Sequence, residues 1–330
     1  MIKSITIKSF RGIREGTLED LTPLVILVGP NGSGKSSILD ALMIGGGNPP
    51  AMALQKVLGR RESPIPRDVE TAKPWLFHKG KRAIASIELM TSSSLVRTTI
   101  LGTPVNNPLQ VVENFRYRIQ GDPIPELQAK LQQASQNPQV FVASPDISEM
   151  RFLEPTAADH KPLHELYTKA YREGLSRQAK SLILDLIPGA EDIVILTEGN
   201  NPIVHIAYPD FSLPVAMAGD GIRLLIQQSF ELAGPEGCVI LLEEPEAHLH
   251  PGAIRNSAKA VVAAIQRKQQ IVLTTHSLEY IDAILDAASD ADLPNVSLYR
   301  IALENGVLKV ARLSGQEIAL ARQAIQDDLR

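Results

Sequence analysis

Apolar residues along this 330-residue chain follow two rhythms. In the second half, continuous apolar runs at 239–242 and 271–275 alternate with helical periodicity at 220–233, 252–266 and 278–288, and an earlier run at 24–28 has the same character. Such runs predict strands buried on both faces, and the helices between them predict the crossovers of a parallel sheet. The first half alternates instead. Segments 85–90, 95–101 and 111–119 place apolar residues on one face, as with Phe115, Tyr117 and Ile119 against Asn114, Arg116 and Arg118, and predict antiparallel strands with one wet face. The N-terminal stretch 1–10 alternates in the same way. Gly45, Gly46, Gly47, Asn48, Pro49 and Pro50 predict a break after a helix at 36–43, followed by a connector through Pro64, Pro66 and Pro74. Further expectations are a helix at 125–135, a short strand at 140–143, two helices within 162–187, hairpins at 193–196 with 203–208 and at 296–302 with 306–312, and a short closing helix.

Composition narrows the class. With 44% hydrophobic residues the chain can bury a large core. No run of about 18 apolar residues is present, and the N-terminus lacks a basic segment leading into an apolar one. A cytoplasmic, soluble protein without a membrane partner is expected. The lone Cys238, at the head of an apolar run, reads as a small buried side chain. The net charge of -4 is uneven: residues 51–180 carry 18 Lys and Arg against 13 Asp and Glu, while the rest of the chain is acidic. The basic clusters are Arg60 with Arg61, Lys79 with Lys81 and Arg82, and Arg116 with Arg118. They read as solvated surface or as a nucleic-acid-facing patch.

Gly29, Pro30, Asn31, Gly32, Ser33, Gly34, Lys35 and Ser36 spell a complete G-x-x-x-x-G-K-S phosphate loop, with Ser37 following, set between a predicted strand and a predicted helix. Its glycines let backbone N–H groups turn inward onto phosphate, and the helix adds its positive dipole end. Lys35 can reach the β- and γ-phosphates of ATP, and the Ser36 hydroxyl can hold Mg2+. The run at 239–242 leads straight into Glu243, Glu244, Pro245 and Glu246, at the strand end where ligands bind in parallel sheets. Glu243 is assigned to the metal and Glu244 to orienting the attacking water. His276, at the end of the next apolar run, is assigned as a donor to the γ-phosphate. The strand at 24–28 must therefore join the later strands, which splits the nucleotide domain in sequence: 1–50 with 190–312 as the core, 51–189 as an inserted lobe, and 313–330 as a C-terminal helix.

In this order the motifs resemble the ATP-binding-cassette ATPases of the group that contains the overcoming-lysogenization-defect (OLD) nucleases, RecF and the structural-maintenance-of-chromosomes proteins. The carrying residues are the phosphate loop, the stretch from Glu243 through Glu246 to His248, His250 and Pro251, and Thr274, Thr275, His276 and Ser277. Ser9, Phe10, Arg11, Gly12 and Ile13 are similar to the group's opening strand, which places Arg11 at the nucleotide. Ala218, Gly219, Asp220 and Gly221 resemble its signature motif, which docks on the nucleotide of a second subunit. The resemblance thus implies a P-loop NTPase of α/β class with a mixed, largely parallel core, an antiparallel β subdomain and an inserted α/β lobe, working as a head-to-tail homodimer around ATP and Mg2+. Three departures from the group's pattern stand out: Ala218 or Gly219 where serine is frequent, Glu243 where Asp is usual, and His250 where transport-type cassettes carry Asp. His250 fits the OLD-like branch. Gln139 is a candidate for the magnesium-sensing glutamine.

The leading functional reading is an ATP-hydrolysing dimeric switch that controls or loads an effector acting on nucleic acid. Only 18 residues follow Arg312, too few for the nuclease domain of OLD proteins, so a nuclease would be a separate chain, as in two-gene phage defence. Two other readings stay open. One is a RecF-like or SMC-like ATPase that binds DNA itself; the other is a scaffold that closes on ATP with little turnover, which Glu243 keeps in play.

Overall fold

A computed structural model describes residues 1–59, 75–80, 84–102, 110–117, 146–153, 162–184, 187–247, 249–322 and 328–329. The chain opens with β1 (Ile2–Phe10) and β2 (Ile13–Leu18), an antiparallel hairpin with Ile5 and Ile7 buried and Thr6 bonded to Thr17 on the other face. β3 (Leu24–Val28) is buried throughout. Its alternate residues serve opposite cores, Val25 and Leu27 one and Leu24, Ile26 and Val28 the other, which is why no polar residue interrupts it.

After the loop comes α1 (Lys35–Gly46), then α2 (Pro50–Gly59). The break predicted from Gly45 comes later, at Gly47. Gly45 and Gly46 stay helical because the helix crosses the sheet too closely for side chains: a Cβ on Gly45 would lie 2.8 Å from Ile87, and one on Gly46 2.8 Å from the Met150 sulfur. Pro50 then starts α2 at the position where a missing N–H costs nothing. The proline connector, the helix at 125–135 and the strand at 140–143 lie outside the described residues.

The predicted antiparallel strands form as β4 (Ile84–Thr91), β5 (Leu95–Gly102) and β6 (Gln110–Tyr117). They extend the β1–β2 hairpin through the pairing of β1 with β4. A strand absent from the sequence reading, β7 (Glu149–Leu153), follows; next are α3 (Leu163–Arg172) and α4 (Ser176–Leu184). A separate antiparallel sheet holds the predicted hairpin as β8 (Asp192–Glu198) and β9 (Asn201–Ala207), joined by β10 (Ser212–Pro214).

The last third alternates as expected: α5 (Asp220–Leu232), β11 (Cys238–Glu243), α6 (Pro251–Gln266), β12 (Gln270–Thr274), α7 (Leu278–Ala287), β13 (Val296–Glu304), β14 (Val307–Ser314) and α8 (Gly315–Leu320). Among the described residues one sheet of eleven strands runs β6-β5-β4-β1-β2-β14-β13-β3-β12-β11-β7. Its second half, from β13 to β7, is parallel throughout. The closing hairpin is the seam, since β13 pairs parallel with β3 while β14 meets β2. A core containing α1 and α2 covers one face of the parallel strands, and one containing α6 and α7 covers the other. A third apolar cluster joins α3, α4 and α5 to the small sheet.

Candidate functional site

Parallel pairing in the order β3, β12, β11 brings the C-terminal ends of these three strands to one edge. The loop after β3 turns on three glycines with positive φ: Gly29 (148°), Gly32 (78°) and Gly34 (99°). A Cβ on Gly29 would meet the Ile301 carbonyl oxygen at 2.2 Å, so only glycine fits there. Gly34 is the N-cap of α1, with no side-chain cap bond, so the first-turn N–H groups are left to an incoming ligand. Lys35 is buried; its ammonium donates to the carbonyls of Gly29 at 2.7 Å and Pro30 at 3.1 Å. Burial lowers its pKa below the ordinary lysine value, and the charges of Glu244 and Glu243 oppose that shift. The buried Ser33 hydroxyl has no hydrogen-bond partner. Ser36 and Ser37 are half-buried, and Pro30 and Asn31 are exposed.

Glu243 ends β11 opposite Thr274. Glu244 follows at φ 46°, its N–H bonded to the Thr274 carbonyl at 3.1 Å. Its carboxylate faces the His276 imidazole, with Oε1 3.6 Å from Nε2. Residues chosen separately along the sequence, Lys35, Glu243, Glu244 and His276, thus converge on one edge, with both acids within electrostatic reach of the lysine. Thr275 ties β12 to β3 by donating its N–H to Leu27 at 3.2 Å.

Other candidates stand elsewhere. Arg11 is ion-paired with the buried Asp40 in α1, five residues beyond Lys35 and past the loop itself. His250 caps α6, accepting the Gly252 N–H at 3.4 Å. Ala218, Gly219, Asp220 and Gly221 lie at the start of α5, where Gly219 and Asp220 are exposed beside Met217, itself 74% exposed. Ala218 and Ile222 pack on the third cluster, apart from the cores that hold β3. Within one chain the signature motif and the phosphate loop thus belong to different cores. His248, Gln139, Arg60, Arg61, Lys81, Arg82 and Arg118 lie outside the described residues.

One residue of this edge was given no role of its own in the sequence reading. Glu246 accepts bonds from Thr275 and His276, and burial raises its pKa against the pull of those bonds. The only sequence signal was a third acid after a strand, which looks the same as a solvated one. Cys238 is buried and its thiol is pushed up to about 12 by that burial, so it fills space as expected.

The AAA ATPase domain family matches residues 1–45 and 88–281, and the chain belongs to that family. A curated relative, the uncharacterized protein MJECL10 of Methanocaldococcus jannaschii, is 54% identical over 44 residues, 13% of this chain; the match spans about a fifth of the length of that relative. Among solved structures, an SMC head bound to the C-winged helix domain of ScpA superposes with a TM-score of 0.58 at 16% identity, covering 95% of this chain and 98% of that one. The Smc head domain of Pyrococcus furiosus, with an extended coiled coil and bound to the C-terminal domain of ScpA, gives 0.56 at 14% identity, with 99% of each chain covered. The fold is that of SMC heads, and the resemblance drawn from the motifs is borne out at the level of an AAA ATPase with that fold.

Proposed function

We propose that this AAA ATPase family chain binds ATP with Mg2+ and hydrolyses it in a head-to-tail dimer, as a switch controlling an effector that acts on nucleic acid. The convergence of Lys35, Glu243, Glu244 and His276 on one sheet edge carries the reading. The residues suit the ligand. A buried ammonium resting on two loop carbonyls, an orphaned Ser33 hydroxyl and an uncapped helix start form a donor set for phosphate oxygens. Among the described residues no group of three His, Cys, Asp or Glu side chains could hold a metal alone. Ser36 with the single carboxylate of Glu243 suits Mg2+, which takes one or two protein ligands and completes its shell with phosphates and water.

In this reading Lys35 exchanges the Gly29 and Pro30 carbonyls for the β- and γ-phosphates, while the loop and α1 N–H groups cradle them. When bound, Mg2+ supplies Lewis-acid polarisation of the phosphoryl oxygens. Glu244 orients the attacking water, and the His276 N–H stabilises charge on the γ-phosphate. The signature residues, Ala218 to Gly221, of which Gly219 and Asp220 are exposed, complete the site of a second copy. Closure of the dimer would then move whatever partner the chain holds. The SMC heads in the two solved structures are bound to ScpA domains, which supports a protein partner here, such as a separate nuclease.

Glu244→Gln keeps the side-chain shape and removes both the charge and the base. Phosphate release should fall by about 100-fold or more, ATP binding should persist, and size-exclusion with ATP should show doubled mass. Unchanged phosphate release, or ATP binding that survives Lys35→Ala, would overturn the reading. The SMC-head fold favours a second one, a DNA-binding clamp with no effector chain. Stimulation of hydrolysis by duplex DNA alone, lost as salt rises, supports that second reading; a co-purifying partner needed for any nucleic-acid effect supports the first.

A further inference from the structure

Glu246 has no role in the mechanism above, yet its carboxylate is bonded to the turn that carries His276. Its Oε1 accepts the Thr275 hydroxyl at 2.5 Å and the His276 backbone N–H at 3.2 Å, while Oε2 is buried without a hydrogen-bond partner. The fully buried Thr275 hydroxyl, which donates its hydrogen bond to Glu246, accepts the Ser277 N–H at 2.9 Å. Ser277 in turn caps α7 by accepting the Tyr280 N–H at 3.1 Å. His276 therefore sits inside a closed set of bonds: Glu246 holds its backbone directly and both neighbours through the Thr275 hydroxyl. Its side chain projects from this turn to Glu244, Nε2 to Oε1 at 3.6 Å. A bond to a carboxylate is about twice as strong as one to a neutral acceptor, and leaving Oε2 buried without a partner gains nothing for packing. Pure stability would favour a neutral group at this position.

We infer that Glu246 is the positioning residue of the site: its carboxylate fixes the Thr275–His276 turn so that the imidazole is aimed at Glu244 and the γ-phosphate. This rests on the hydrolytic reading above and adds a residue to it. The phosphate loop makes none of these bonds, so Glu246 should govern turnover and leave nucleotide capture alone.

The full-length protein, assayed for ATP hydrolysis, supplies the test. Glu246→Ala should lower kcat by about 10- to 100-fold, the scale of a 1 Å misplacement, with KM for ATP within about twofold. Glu246→Gln keeps an oxygen acceptor and should retain most of the rate. A double-mutant cycle with His276→Ala decides between positioning and general stability, since residues acting through one another are non-additive. Once His276 is gone, Glu246→Ala should cost less than about twofold more. Equal losses in both backgrounds, or a raised KM with kcat intact, overturn the inference while the hydrolytic reading stands. If His276→Ala alone leaves kcat unchanged, the role of His276 fails and the inference falls with it. Should Glu246→Ala not fold, Thr275→Val carries the same cycle, with Thr275→Ser expected to restore the rate and failure of that rescue counting against the inference.

Discussion

Gly29 has the least freedom of any residue in the phosphate loop. Its φ of 148° already excludes most side chains, and the Ile301 carbonyl stands 2.2 Å from where a Cβ would go. Gly32 also has a positive φ, 78°, but nothing lies within 4 Å of its Cβ position. Alanine at Gly32 should cost about 1 kcal/mol, the left-handed penalty. At Gly29 a backbone collision that no rotamer relieves is added, and the loss should reach about 3 kcal/mol or more. Urea unfolding of the two variants checks this; equal losses would contradict the assigned geometry. At this scale the meeting of Lys35, Glu244 and His276 was legible because each closes a motif whose chemistry calls for that residue type. Sequence similarity put Arg11 at the nucleotide; in the fold its guanidinium is paired with Asp40, 29 residues away, a pairing visible only after folding.

Among the elements, β7, an edge strand of the described sheet, explains why a half-buried strand can hide from a hydrophobicity pattern. Two of its five residues, Glu149 and Arg151, are charged, and Arg151 is buried. The charge is tolerated because Arg151 donates to the Glu231 carbonyl at 2.6 Å, near the C-terminus of α5, and pairs with Glu149 at 3.0 Å, which also meets Lys169 of α3 at 2.7 Å. Burial disfavours the Glu149 carboxylate, but the bonds and charges of Arg151 and Lys169 win and hold its pKa at about 2, against 4.5 for an ordinary Glu. A depressed carboxylate contributes its stability above the unfolded pKa and loses it as pH falls toward the folded one. The loss should therefore run from about pH 4.5 down to about pH 2 and amount to about 2 kcal/mol after partial solvent screening. Glu149→Gln should flatten the acid limb of the unfolding curve; an unchanged limb would show that the pair carries no such linkage. The glycines of α1 teach the converse: Gly45 and Gly46 read as breakers because sequence does not show that Ile87 and Met150 will press against them.

For the whole molecule, the parallel half of the sheet was legible because uninterrupted apolar strands separated by helices have few other arrangements. The join to the antiparallel half was not. It depends on β14 meeting β2 and on Gln270, which bonds both the N–H and the carbonyl of Ile2, at 2.7 and 2.8 Å, across 268 residues of sequence. The placement of the signature motif beside a third core was foreseen neither by the hydrophobic pattern nor by the family resemblance, because that core assembles from helices and a small sheet far apart in sequence. Glu244, finally, occupies backbone space with φ 46° that asparagine or glycine fills at lower cost, and it does so beside two other acids. Replacing it with asparagine should raise the melting temperature by about 1–2 °C even as phosphate release disappears. A loss of thermal stability in that variant would count against this account. If the hydrolytic reading holds, durability and turnover pull on this position in opposite directions, and a hardier form of the chain is one that no longer works.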